Sequence, residues 1–313
     1  LTQLPSAPSN LSWSPDGTKI AFSALVESKA PKLATHPKAP KGATWAPGVT
    51  VIERLNYKSD GAGFLKNGFS HVFVVPSEGG TPSQLTEGNF NHGGQLSWSP
   101  DGRRIIFAAN RSDNFEINLD GSDIWSVDLE SNVLTQLVKR AGPDFSPFYA
   151  PDGKHIAFRG MPDNRNAHRH ADIFVLDVNS GDLQMIEEDL DRHFSKALWR
   201  GNQALMVSYN DRGHTVLAEL SLAGELRTIT DRVGGTGIGR PYTSGSFSVA
   251  DTGAFAFNYS RPDRPADVGF GRESESVSVL TDLNSDLVAH RTLSPIEQLT
   301  WKSIDSLEIE GWL

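Results

Sequence analysis

The chain repeats one short phrase, and that repetition limits what it can fold into. Trp13-Ser14-Pro15-Asp16-Gly17 runs into Ile20-Ala21-Phe22. Trp98-Ser99-Pro100-Asp101-Gly102 runs into Ile105-Ile106-Phe107. Tyr149-Ala150-Pro151-Asp152-Gly153 runs into Ile156-Ala157-Phe158, and a worn copy, Phe247 to Gly253, runs into Phe255-Ala256-Phe257. Self-similarity of this kind marks stacked copies of one supersecondary unit.

Each copy carries its own mechanism. Pro presets φ for the second position of a type I turn, Asp tolerates the third, and Gly is favoured at the fourth. An aromatic residue before the turn and a β-branched or aromatic triplet after it predict a hairpin with one row of side chains buried. A second hairpin follows in each unit. Examples are His71–Val75 with Gln84–Thr86, Asp123–Val127 with Leu134–Leu137, and Asp172–Leu176 with Leu183–Ile186. From Phe107 to Phe158 is 51 residues; Val207 lies 49 further on, and Phe257 50 beyond that. Four strands per 40–50 residues is the period of a β-propeller blade. The expected fold is therefore all-β, with five full four-stranded units at about 5–86, 87–137, 138–187, 188–230 and 231–281. The first interval, Phe22 to Phe107, is 85 residues, so the first unit carries an insert at about 27–66.

Composition agrees. The chain holds 29 Gly and 18 Pro, as a turn-rich β array requires. A net charge of −9 disfavours a nucleic-acid surface, which needs a basic footprint. No run of 18 apolar residues predicts a membrane span. The absence of Cys excludes disulfides, thiolate metal sites and Cys nucleophiles. Leu1-Thr2-Gln3-Leu4 repeats the closing strand Leu134-Thr135-Gln136-Leu137. An open array would expose two strand edges, which natural sheets avoid. The expectation is thus an incomplete N-terminal blade and seven or eight blades in the complete protein.

The C-terminal segment carries a resemblance. Leu280–Leu287, Gln298–Ser303 and Ile309-Glu310-Gly311-Trp312-Leu313 resemble the junction where the propeller of a prolyl oligopeptidase-family serine peptidase meets its α/β-hydrolase domain. The branch is the acylaminoacyl-peptidase and dipeptidyl-peptidase-like one. Glu53–Phe64, Gly142-Pro143-Asp144 and Gly239-Arg240-Pro241-Tyr242 are similar to segments of the same branch. The resemblance implies a propeller over residues 1–297 and, over 298–313, the start of a linker into an α/β-hydrolase domain following Leu313. It also implies a short peptide as substrate. The family's catalytic Ser, Asp and His lie in that hydrolase domain. No Gly-x-Ser-x-Gly elbow occurs here: Ser246 has Gly245 before it but Ser244 and Ser248 at the flanking positions. No catalytic residue, metal or cofactor is therefore assigned. The double-Glu amine clamp of dipeptidyl peptidases is missing too. Arg54, Asn56, Tyr57, Lys58 and Asp60 stand at the equivalent place.

Arg54, Tyr57 and Asp60 are the candidate substrate-binding residues, since a guanidinium suits a peptide carboxylate bidentately. The basic, Pro-rich run Lys29, Lys32, Lys38 and Lys41 reads as an extended surface segment. His168 and His170 read as surface loop, and Arg192 and His193 as blade-mouth residues. Gly234–Gly239 reads as a linker without the Lys of a phosphate loop. Trp13 and Trp98 read as core between adjacent blades. The function expected is the substrate-gating, non-catalytic propeller of a serine peptidase that releases aminoacyl, dipeptidyl or acyl-aminoacyl units. The alternative is a stand-alone binding module resembling the propeller of the Tol envelope system. A propeller glycosidase would need facing carboxylates, and Glu187, Glu188, Asp189 and Asp191 share one loop. Self-association is left open. Export is favoured over a cytoplasmic location, because bacterial relatives of the branch are often exported.

Overall fold

The structure is a computed structural model that describes residues 4–28, 37–44, 46, 51–163, 166, 168–186, 190–235, 245–272 and 277–313. Strands dominate. The first blade contains β1 (Ser9–Trp13), β2 (Lys19–Glu27), the small hairpin β3 (Lys58–Ser59) and β4 (Gly63–Phe64), β5 (Gly68–Pro76) and β6 (Ser83–Gln84). The second contains β7 (His92–Trp98), β8 (Arg104–Ala109), β9 (Asp123–Asp128) and β10 (Leu134–Val138). The third contains β11 (Asp144–Tyr149), β12 (His155–Gly160), β13 (Asp172–Asp177) and β14 (Leu183–Met185). The fourth contains β15 (Phe194–Arg200), β16 (Ala204–Asp211), β17 (His214–Ser221) and β18 (Leu226–Val233). The fifth contains β19 (Phe247–Val249), β20 (Phe255–Arg261), β21 (Arg264–Gly271) and β22 (Val277–Val279). A short helix, α1 (Ser285–Val288), and the hairpin β23 (Gln298–Lys302) and β24 (Glu308–Trp312) follow.

Within each blade neighbouring strands pair antiparallel in chain order, with β3–β4 inserted between β2 and β5. The fourth and fifth blades also share one bridge, Val233 opposite Tyr259. The chain is thus an all-β protein of the β-propeller class, with five four-stranded blades. It divides into two compact units, Leu1–Trp98 with Gly102–Phe145, and Ser99–Asp101 with Ser146–Leu313.

The repeated turns work as their residues require. The Gly17 N–H donates to the Ser14 carbonyl at 2.9 Å, and Gly17 has φ +68°. Asp16 accepts from the Ser14 hydroxyl at 2.6 Å and from the Thr18 amide at 3.0 Å, so its carboxylate staples the turn from inside. Gly153 and Gly253 make the same closure on Ala150 and Ala250. A left-handed residue after a type I turn realigns the returning strand, and glycine takes that conformation without a Cβ clash.

The hairpins bury both rows of side chains on their second strand, not the single row that the alternation suggested. Ile105, Ile106 and Phe107 are fully buried, as are Leu205, Met206 and Val207. On β16, Leu205 and Val207 pack with Ile173, Trp199 and Val216, while Met206 packs with Phe247, Phe255 and Phe257. Successive residues of a strand face opposite sides, so this sheet is covered on both. On β2, Ala21 likewise packs with Trp98 and Phe107, while Ile20 and Phe22 pack with Val75 and Ala24.

The aromatic before each turn has a repeated job. The Trp98 indole N–H donates to the Ser12 carbonyl at 3.1 Å, and that of Trp199 to the Phe148 carbonyl at 3.2 Å. Each thus ties its blade to the strand of the blade before. Trp98 is core, as expected. Trp13 is not: it is 61% exposed. The indole at this position packs on the preceding blade, and none stands before Trp13 among the described residues.

Candidate functional site

One end of the first unit gathers rings and guanidinium groups into a row. Three segments meet there: the insert around Arg54, the Phe69–His92 stretch, and the β8–β9 loop from Asn110 to Ser122. The Arg54 guanidinium lies over the Phe69 ring at 4.4 Å and the Phe115 ring at 5.9 Å. Phe115 meets Phe69 and Phe90 edge-on at 6.1 and 5.4 Å. Phe90 in turn lies under the Arg111 guanidinium at 4.8 Å, with the Trp125 ring at 5.3 Å from the same cation. Rings present their negative faces to cations, so the row reads arginine, three phenylalanines, arginine, tryptophan.

The β8–β9 loop is shaped by local polar bonds. The Asn110 side-chain oxygen accepts from the Ser112 amide and hydroxyl, and its amide donates to the Asn118 carbonyl at 2.6 Å. Asn118 N donates to Asn114 O at 2.8 Å, giving one helical turn that presents Phe115 and Glu116. Gly121 lets the loop return: a Cβ there would sit 2.9 Å from Asn118 Nδ2 and 3.1 Å from Asn110 Oδ1. Arg54, Asn56, Asn91, Asn110, Phe115, Glu116 and Leu119 line a cleft of about 160 Å³ at this place.

The two arginines differ in electrostatic standing. Arg54 is spent: Nε donates to Glu116 Oε1 at 2.7 Å and Nη1 to the Gly68 carbonyl at 2.9 Å. Arg111 has no carboxylate partner among the described residues. Its one hydrogen bond runs from Nη1 to His92 Nε2, at 2.5 Å. A guanidinium can only donate, so His92 accepts and carries its proton on Nδ1. His92 is fully buried and stacks on His71 at 5.3 Å. Burial, then the Arg111 charge and His71, holds His92 down at about 4. Burial and Arg111 lower His71 as well, with Glu87 opposing. Burial also lowers Arg111 itself.

A second polar group lies in the same unit. Asp144 is fully buried; its Oδ1 accepts from Arg140 Nε at 2.6 Å, while Oδ2 has no partner. Burial raises Asp144 to about 7 against the opposing Arg140 charge. Asp123 is raised by burial too, and it accepts from Gln136 at 2.8 Å.

The structure separates the three candidate residues of the insert. Arg54 lines the cleft. Tyr57 is 43% exposed and stacks on Phe64 at 6.2 Å, bracing the β3–β4 hairpin, and Asp60 is exposed at its tip. Neither Tyr57 nor Asp60 lines the cleft. In the second unit, His170 pairs with Asp191 at 3.1 Å and Arg192 with Asp211 at 2.8 Å, while His193 Nδ1 accepts from the Ala171 amide. No group of three metal-ligating side chains occurs among the described residues. Nor is any described helix long and apolar enough to cross a membrane. Lys29, Lys32, Glu187, Glu188, Asp189 and Thr236–Tyr242 fall outside the described residues.

Sequence reasoning missed Arg111, His92 and Phe115. The signal was weak: His92 opens a strand two residues after Phe90, and Arg111 follows the buried Phe107 strand at a turn.

Residues 43–159 match the family model described as the dipeptidyl peptidase IV (DPP IV) N-terminal region. With five four-stranded blades the chain is a β-propeller, and over those residues it is similar to the propeller region of dipeptidyl-peptidase-type enzymes. Particular relatives agree. The uncharacterized peptidase YuxL of Bacillus subtilis is 26% identical over all of this chain and 48% of its own length. Dipeptidyl-peptidase 5 of Porphyromonas gingivalis is 28% identical over 43% of this chain and 20% of its own. Among solved structures, the acylaminoacyl peptidase of Pyrococcus horikoshii superposes with a TM-score of 0.68 at 17% identity, over 99% of this chain and 43% of that one. The chain spans about half the length of YuxL.

Proposed function

We propose that the chain is the non-catalytic, substrate-gating portion of a serine peptidase that hydrolyses short peptides, releasing aminoacyl, dipeptidyl or acyl-aminoacyl units. The observation that carries the reading is the combination of a five-blade series with a family match running through the insert and the β8–β9 loop. Chemistry would reside in an α/β-hydrolase domain following Leu313, through an activated Ser and an oxyanion hole. The propeller would exclude large substrates and bulk water and bind substrate ends.

Two features support this. The surface at the cleft is apolar and open: Leu119, which lines it, and Leu55 and Ile117, which adjoin lining residues in the chain, are 65–77% exposed, which suits a face awaiting a partner domain. The hairpin β23–β24 is anchored rather than loose. Trp312 packs on Gly213, where a Cβ would lie 2.5 Å from its ring, and Glu310 pairs with Arg212. A hairpin so fixed suits residues 298–313 as the lead into a following domain.

The test compares this chain alone with the longer gene product on acyl-aminoacyl and aminoacyl chromogenic peptides of two to thirty residues. The chain alone should give no turnover, and the longer protein should cleave only the short members. Cleavage by the chain alone, or equal cleavage at every length by the longer protein, would overturn the reading.

A further inference from the structure

We propose that Arg111 is a receptor for the free C-terminal carboxylate of a short peptide, whose last side chain lies along the Phe90–Phe115–Phe69 ring row. The proposal rests on the peptidase reading above and names the substrate end that this unit would recognise.

Among the described residues the Arg111 charge has no counterion. Arg111 is partly exposed, and its described contacts are the His92 nitrogen and the faces of Phe90 and Trp125. Rings and a neutral imidazole hold a guanidinium in place but do not neutralise it. One Nη1 proton is used on His92, which leaves the rest of a planar five-donor fork unspent. The Trp125 indole N–H beside it also lacks an acceptor. This corner is therefore rich in donors and short of acceptors. A carboxylate matches a guanidinium bidentately and supplies acceptors for the part of the Arg111 fork that His92 does not use. His92 and the rings fix the direction of the fork, so little ordering remains for the ligand to impose.

The size and sign of the surroundings narrow the ligand. Asn110 and Phe115 line the cleft of about 160 Å³ and connect it to Arg111 through the Phe115–Phe90 contact. That volume is of the size of a single side chain. The net charge of −9 disfavours a polyanion. Arg54 does not compete for the carboxylate, because Glu116 already neutralises it. The carboxylate recognition expected of Arg54 thus falls to Arg111.

The experiment measures binding of three probes to the purified chain by calorimetry and by Trp fluorescence: N-acetyl-Ala-Phe with a free carboxylate, the same peptide as its C-terminal amide, and N-acetyl-Ala-Glu amide. The free acid should bind at least tenfold more tightly than either amide. Arg111→Gln should erase that preference, and Arg111→Lys should keep part of it. The amide comparison needs no variant, so it decides even if Arg111→Gln does not fold. Equal binding of acid and amide overturns the Arg111 proposal while leaving peptide recognition standing. Equal binding of the acid and the Glu-containing amide assigns the site to side-chain carboxylates and overturns it too. Binding of none of the three overturns both the proposal and the view that this unit contacts substrate.

Discussion

The buried imidazole of His92 makes acid stability a sharp readout of the ring row. Its pKa in the folded chain is about 4, against the usual 6.5, because burial and the Arg111 charge both penalise the imidazolium. Well above pH 7 the ring is neutral folded and unfolded, so this group adds no pH dependence there. As pH falls below 6.5 the unfolded chain takes up a proton that the folded chain refuses, and stability drops. Near pH 4 the folded state protonates as well and the loss levels off. The gap is worth about 3 kcal/mol at roughly 1.4 kcal/mol per pH unit. The assay is urea denaturation of the wild type and of His92→Gln across pH 4–8, with the two stability curves subtracted. The difference should be flat above pH 7 and move in the variant's favour by about 3 kcal/mol down to pH 4. Subtraction removes the titrating groups that do not interact with His92. Parallel curves, or a His92 ring signal titrating near 6.5 by NMR, would refute the burial argument.

Other outcomes are equally definite. Asp144 has the opposite sign: its pKa is raised to about 7, so in urea melts the wild type should lose stability relative to Asp144→Asn as pH rises from 4 to 7. Phe107→Ala empties a fully buried site and should cost about 4 kcal/mol in denaturant melts. Gly213→Ala puts a methyl into the Trp312 ring at φ +72°, so amide exchange in β23 and β24 should quicken; unchanged exchange would mean that the hairpin is held elsewhere. Arg54→Met strips Glu116 of its partner and should accelerate exchange over residues 112–119, with Arg54→Met/Glu116→Gln partly restoring protection.

Local chemistry was legible in the sequence. Ser-Pro-Asp-Gly closes its own turn within four residues, and the apolar triplet after it becomes a strand wherever the phrase recurs. Fold class and blade spacing therefore followed without coordinates, and so did the absence of a nucleophile elbow. Which face a strand buries, and what a charged group touches, are long-range facts. Trp13 and Trp98 share one phrase, yet Trp13 is exposed while Trp98 is buried against the Ser12 strand of the first blade. Arg54 and Arg111 are alike on paper. Glu116, 62 residues from Arg54, neutralises the first, while His92, 19 residues before Arg111, orients the second without neutralising it. The sequence by itself determined the turns, the strands and their repeat, since those energies act between near neighbours. Tertiary structure decided which arginine is matched, since blade pairing brings Glu116 within hydrogen-bond reach of Arg54 and leaves Arg111 without an anion among the described residues.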